Sequence, residues 1–325
     1  MKEDPAHFQT LALSGGGFRG LYTAQLLADL EHHLVQPAAT RFDLIAGTSI
    51  GGILALALAC EIPAARIVSL FQDHGAEIFR RRSLFGYFKS KYASTPLKSL
   101  LADSSLFGER LLGECRHPVL VPAINYTTGK PVVFKTPHHA SFRTDKYFRL
   151  VDVALATSAA PTYFPRHVFN NCQYVDGGLF ANSPGLLALH EAEFFFGRSP
   201  EHVELLSVGT MSTKVTVDPR KNRAGGMTSW GGINPVDTPG QLFGLTLSAQ
   251  ESLVDFMLRH RLGERYIQLD DDLTDAQARA VALDKATPAA TEVLIGTAHE
   301  RAKWAIGNDR VRALLARRSN PPTFY

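Results

Sequence analysis

Along the chain, short apolar runs alternate with longer stretches in which leucines recur every three or four places. Phe8 to Leu13 alternates, then runs apolar into Ser14-Gly15-Gly16-Gly17. Leu21, Leu27, Leu30 and Leu34 follow at helical spacing, so the pattern predicts strand, glycine loop and helix. The unit repeats. Phe42 to Ala46 is a second apolar run, Gly47-Thr48-Ser49-Ile50-Gly51 a sharp turn, and Ile53 to Cys60 a helix apolar on all sides. Alternating strands and helices joined by tight glycine turns predict an α/β fold, a three-layer sandwich with a mainly parallel central sheet. Its sites are expected at the carboxyl ends of the strands.

Further along, Glu61 to Cys115 reads as helical and more polar, and Val119 to Asn125 with Pro131 to Lys135 as a hairpin turning at Tyr126-Thr127-Thr128-Gly129-Lys130. Arg149 to Ala159 is helical, Tyr174-Val175 leads into Asp176-Gly177-Gly178, and Val203 to Val208 is a strand ending at Gly209-Thr210. Gly, Pro, Asn and Asp crowd Val215 to Pro239, which predicts a long surface loop. From Thr238 the chain reads as several helices with one strand-like piece at Arg265 to Leu269. Length alone suggests two domains at about 150 residues each. The motifs argue for one domain over residues 1–325, with a catalytic core of about 8–212 and a loop and helical C-terminal extension over about 213–325.

Composition narrows the function classes. An apolar fraction of 45% with 20% charged residues excludes a disordered or fibrous chain. A net charge of +3 is too weak for wholesale binding of DNA or RNA. Cys60, Cys115 and Cys172 are widely spaced and odd in number, which fits a reducing compartment and no disulfide framework. The charged start Met1-Lys2-Glu3-Asp4-Pro5 lacks the apolar run of a signal peptide, and a cytoplasmic address is expected. The longest apolar stretch, Ile45 to Cys60, is broken by glycines and falls short of the ~20 residues that span a bilayer.

The chemistry concentrates in three places. Gly47-Thr48-Ser49-Ile50-Gly51 fits G-x-S-x-G, in which the flanking glycines let the chain turn from strand to helix and leave the serine exposed. The pattern also arises in ordinary turns, but here a strand precedes it and a buried helix follows. A helix N-terminus favours the negative charge of acyl transfer. Ser14-Gly15-Gly16-Gly17-Phe18-Arg19-Gly20 offers consecutive unencumbered N–H groups, as an oxyanion hole requires. Gly15, Gly17 and Gly20 also satisfy G-x-G-x-x-G, yet a dinucleotide site wants an acidic residue closing the second strand, and that strand ends in Gly47-Thr48-Ser49. Serine needs a base. Asp176, after a strand and before two glycines, is a candidate whose bland alternative is a turn-forming aspartate.

These pieces together resemble the patatin-like phospholipase family, whose hallmarks are a GGGxRG loop, a GxSxG elbow and a DGG or DGA motif. All three stand here in family order, with Ala154-Leu155-Ala156-Thr157-Ser158-Ala159-Ala160-Pro161-Thr162-Tyr163-Phe164-Pro165 and Asp176-Gly177-Gly178-Leu179-Phe180-Ala181-Asn182-Ser183-Pro184 between and after them. The resemblance covers roughly Leu11 to Thr210. It implies Ser49 as nucleophile, Asp176 as base, the Gly15, Gly16 and Gly17 amides as oxyanion hole, and a dyad without histidine. Gly47, Gly51, Gly177 and Gly178 then support the motifs, Arg19 has an open role, and Met211 departs from the glycine frequent in the family. The implied substrate is a membrane phospholipid or its lyso or neutral relative. A related reading, a triad enzyme, would recruit His190, His202, His260 or His299. A reading of another class, a non-catalytic nucleotide-binding protein, has no need of both Ser49 and Asp176.

Three further expectations follow. Between Glu77 and Asp103 no acidic residue occurs, while Arg80, Arg81, Arg82, Lys89, Lys91 and Lys98 alternate with Phe79, Phe85, Tyr87, Phe88 and Tyr92. This suits either an anionic membrane surface or a solvated flap whose aromatics partly pack on the body. Twelve histidines show no ligand spacing, so neither a catalytic metal nor a cofactor is expected. The opening Leu11 to Tyr22 and the helical extension also resemble bacterial anti-phage phospholipases switched on by cyclic dinucleotides. That resemblance implies a cyclic dinucleotide activator, an enzyme peripheral to the inner face of the membrane, and assembly into a homo-oligomer.

Overall fold

The computed structural model describes residues 7–82, 89–211 and 238–325. Its centre is an eight-stranded sheet. Strands β1 (Phe8–Leu13), β2 (Leu44–Gly47), β3 (Val119–Asn125), β7 (Val203–Val208) and β8 (Tyr266–Leu269) form its parallel part in the order β3-β2-β1-β7-β8. All six residues of β1 are buried, as befits a central strand covered on both faces.

The helices are α1 (Gly20–Leu34), α2 (Ile50–Ala59), α3 (Ala64–Ile78), α4 (Thr95–Leu101), α5 (Leu150–Thr157), α6 (Gly178–Ala181), α7 (Gly185–Phe194), α8 (Thr238–Leu262), α9 (Asp275–Ala280), α10 (Pro288–Gly307) and α11 (Asp309–Ala316). The period-two alternation of the strands sorts them into layers. Leu11, Leu13, Ile45 and Val121 point to one face, where they meet α1, α2, α3, α5 and α10. Phe8, Ala12, Leu44 and Leu120 point to the other, where Ala188 and Leu189 of α7 and Val254 and Leu258 of α8 cover them. The sandwich therefore has the three layers expected. The C-terminal region is built into it: β8 pairs with β7, and α10 packs on α1.

The antiparallel part was only half anticipated. The hairpin of β3 with β4 (Lys130–Lys135) is present, but β5 (His167–Phe169) was not foreseen; only three residues long, it carries no periodic signal. Strand β6 (Cys172–Asp176) runs antiparallel to both β5 and β3. Among the described residues from Glu61 to Cys115, α-helix is confined to α3 and α4, less than the pattern suggested. The expected loop at Val215 to Pro239 lies, up to residue 237, outside the described residues.

One feature of register places the site. Residues 123–125 of β3 pair with β4 on one edge and with β6 on the other, and Leu120 pairs with Lys135 of β4 and with Ala46 of β2. Hence β2 and β6 share one edge of β3 and run toward each other. Their carboxyl ends, Gly47 and Asp176, meet.

Candidate active site

Two residues past Gly47 stands Ser49, between β2 and α2. Its backbone is left-handed, φ 55° and ψ −124°, a conformation costly for a residue with a Cβ and held by its surroundings. The Ser49 N–H donates to Thr157 Oγ1 at 2.9 Å, and that hydroxyl donates on to the Pro122 carbonyl at 2.7 Å. The flanking glycines are required by close approach. A methyl on Gly47 would stand 2.1 Å from the Gly51 carbonyl oxygen, and one on Gly51 2.3 Å from the Leu13 carbonyl oxygen.

Asp176 closes β6 and is 1% exposed. Ser49 Oγ donates to its Oδ2 at 2.7 Å, and the Gly178 N–H donates to its Oδ1 at 2.7 Å. Gly177 sits against the Pro122 carbonyl, with no room for a side chain. Burial pushes the Asp176 carboxyl up to about 7, against the opposing pull of the Gly178 amide and the Ser49 hydroxyl. A carboxylate with that value is a far better base at neutral pH than an exposed one near 4.

The glycine loop lies alongside. The Gly15 N–H is spent on the Asn182 carbonyl at 3.0 Å, and the Phe18 N–H on the Leu283 carbonyl at 2.7 Å. Gly16 and Gly17 line a cavity together with Ser49 and Asp176, and among the described residues neither amide has a protein acceptor. A methyl on Gly16 would meet Thr210 Oγ1 at 2.3 Å; Gly17 has φ +57°, and a methyl on it would stand 2.1 Å from the Leu283 carbonyl oxygen. Arg19, buried, donates from Nη1 to the Met211 carbonyl at 3.1 Å and lies in the field of Glu251 and Asp270. Its position is that of a clamp on the chain leaving β7, and it does not line the cavity.

The cavity encloses about 650 Å³ of non-atom space, part of it open to solvent. Away from Ser49 its walls are Ile53, Phe71, Ile78, Phe79, Leu97 and Phe164, with Phe243 and Leu247 supplied by α8. Such a slot suits an acyl chain. Of the basic aromatic segment, Phe79 and Tyr92 pack inward against Phe164, with ring centroids 6.0 and 5.7 Å away, whereas Phe85, Tyr87 and Phe88 lie outside the described residues. His190, His202, His260 and His299 do not line the cavity; His299 pairs instead with Asp29 at 2.6 Å. Among the described residues no cluster of His, Cys, Asp or Glu could hold a metal ion.

Sequence reasoning gave no role to four residues that set this geometry: Thr157, Asn182, Thr210 and Leu283. The first two fall within the segments that carry the family resemblance. Leu283 acts through its backbone carbonyl, which no side-chain pattern reveals.

A serine held on a strained elbow, a buried carboxylate at hydrogen-bond distance and an apolar slot form a site able to perform acyl transfer. The patatin-like phospholipase family matches residues 11–189, and the chain belongs to that family. It is an enzyme of the phospholipase class. It is 44% identical to a "cGAMP-activated phospholipase" of Pseudomonas aeruginosa over 98% of this chain and 95% of that one. A "cGAMP-activated phospholipase" of Escherichia coli is 34% identical over 90% of this chain and 87% of its own. Among solved structures, VipD from Legionella pneumophila aligns over 96% of this chain and 67% of its own, with 12% identity and a TM-score of 0.42. No described helix is long and apolar enough to cross a membrane.

Proposed function

We propose that the chain cleaves fatty-acyl esters of membrane phospholipids through a Ser49–Asp176 dyad, at a membrane surface, and that a cyclic dinucleotide switches the reaction on in anti-phage defence. The observation that carries the chemistry is the 2.7 Å hydrogen bond from Ser49 Oγ to Asp176 Oδ2 at the head of an apolar cavity. Asp176 takes the hydroxyl proton as Oγ attacks the ester carbonyl, then returns it to the departing alcohol. Water enters, loses a proton to Asp176 and attacks the acyl carbon, and Asp176 returns that proton to Ser49 Oγ as the Oγ–acyl bond breaks and the fatty acid leaves. The developing oxyanion falls to the Gly16 and Gly17 amides, while Gly15, whose N–H is already bonded, serves to fix the loop. Activation by cyclic GMP-AMP is supported by the two relatives named for it, which this chain matches over nine-tenths or more of its length.

The test is fatty-acid release from phospholipid vesicles by wild type, Ser49→Ala and Asp176→Asn, with and without cyclic GMP-AMP. Messenger-dependent release by wild type and none by either variant is expected. Equal release by all three overturns the dyad, and release indifferent to the messenger overturns the switch.

A further inference from the structure

A second depression shares a wall with the acyl cavity. The wall is the segment from Ser158 to Arg166. Ser158, Ala160 and Tyr163 face the acyl cavity, Ala159, Pro161, Thr162 and Arg166 face the depression, and Phe164 borders both. The depression encloses about 1660 Å³ of non-atom space, much of it open to solvent, over a floor of Ile124, Val175 and Leu179.

Its charge is one-sided. Arg82, Lys89 and Arg166 line it, and among the described residues no Asp or Glu does. Other cations are paired with carboxylates: Lys91 with Asp284, Lys135 with Glu191, Arg149 with Glu109, Arg301 with Asp271. Among the described residues Arg82, Lys89 and Arg166 have no carboxylate partner. Three cations gathered without a counter-charge repel one another, a cost that an anionic ligand removes.

The arrangement is also fixed in place. The Arg82 N–H donates to the Lys91 carbonyl at 3.1 Å, the Lys91 N–H to the Thr162 carbonyl at 2.9 Å, and the Tyr92 N–H to the Tyr163 carbonyl at 2.8 Å. These bonds stitch the Arg82 and Lys89 side of the depression to the Arg166 side. The Arg166 guanidinium lies 4.6 Å from the centroid of the Tyr126 ring, which orients it, and among the described residues its N–H groups have no protein acceptor. Tyr126 is 55% exposed and offers a flat face at the rim.

We infer that this depression binds a phosphodiester, held by Arg82, Lys89 and Arg166 and flanked by Tyr126. Two molecules bring that group to the site: the headgroup of a phospholipid whose acyl chain occupies the neighbouring cavity, and a soluble cyclic dinucleotide. In either case the ligand bears on the shared wall. Thr162, at φ 70°, holds a left-handed conformation there, and Ala159 accepts the Asp176 N–H at 3.1 Å, so occupancy is felt at Phe164 and at the base of the dyad. This coupling rests on the dyad reading; the binding itself does not.

The experiment compares wild type with Arg166→Glu and Lys89→Glu, both at exposed positions, after thermal melting confirms that each variant folds. One arm measures equilibrium binding of cyclic GMP-AMP. The other measures the ratio of turnover on phosphatidylglycerol vesicles to turnover on diacylglycerol, which lacks phosphate. A loss of about tenfold or more in dinucleotide affinity assigns the site to the messenger, and a comparable fall in the turnover ratio assigns it to the headgroup. Wild-type values in both arms overturn the site, as does a wild type that neither binds the dinucleotide nor favours the phosphate-bearing lipid. Failure of the dyad reading is seen separately, as ester hydrolysis that survives Ser49→Ala.

Discussion

The dyad proposed for Ser49 and the clamp around Arg19 are both built against the glycine loop, and each contains an aspartate, Asp176 buried and Asp270 half-buried. Asp176 ends β6 and Asp270 follows β8; burial pushes both carboxyls up to about 7. Their partners differ. Asp270 accepts main-chain N–H groups from Met211 and Asp271, at 2.9 and 3.0 Å, in the field of Arg19. Asp176 accepts one main-chain N–H and one serine hydroxyl, and that hydroxyl faces an apolar cavity. A raised carboxyl therefore marks loss of solvent in both places, and only at Asp176 does the geometry suit it to the role of base proposed for it.

The comparison is broken most directly by matched substitutions. Asp176→Asn is expected to lower hydrolysis by about 10⁴-fold or more, as loss of a nucleophile's base does. Asp270→Asn should keep activity within about tenfold of wild type per folded molecule, since no reacting atom touches it. If Asp270→Asn in folded protein matched the loss of Asp176→Asn, the distinction would collapse.

Next in size is the loop between the two. Gly16→Ala forces a methyl to 2.3 Å from Thr210 Oγ1 and displaces a donor, with a loss of about 10²- to 10³-fold expected in kcat. Gly296→Ala in α10, where nothing lies within 4 Å, is the control and should leave kcat unchanged. Arg19→Ala removes the cation beside Asp270 and leaves the Met211 carbonyl without its donor. It should cost about 3 kcal/mol of stability, read by denaturant titration, while kcat per folded molecule falls less than for Gly16→Ala.

The smallest effects are in pH. The base must be ionised, so kcat/KM should rise with pH through a single ionisation near 7. For stability the sign is opposite. The Asp176 carboxyl takes up its proton near 7 when folded but only near 4 when unfolded, so the stabilising uptake present at low pH is lost as pH rises through 7. Asp176→Asn escapes that loss. Its thermal midpoint should exceed that of wild type at pH 8, with the gap closing toward pH 4.

Much of this site was legible because it is local. The elbow around Ser49 and the loop from Ser14 to Gly20 are each written in consecutive residues, where a glycine requirement shows directly. The parallel sheet followed from the alternation of β1 and β2 with their helices. What stayed hidden is long-range. That β2 and β6 meet end to end along β3 depends on the antiparallel pairing of β3 with β6, which brings Asp176 to Ser49 across 127 positions, and no local pattern records it. Gly15 looked like an oxyanion donor because its sequence neighbours are glycines; only the fold brings the Asn182 carbonyl to its N–H. Arg19 likewise belongs to a family motif whose spacing says nothing of the Met211 carbonyl it holds.

The central claim, that Asp176 is the base for Ser49, is tested most directly by reacting the protein with a fluorophosphonate probe and locating the adduct by mass spectrometry across pH. The account predicts one adduct, on Ser49, at a rate that rises through an ionisation near 7 in wild type and is lost in Asp176→Asn. Labelling of Ser49 in folded Asp176→Asn at the wild-type rate, or an adduct on another residue, would contradict it.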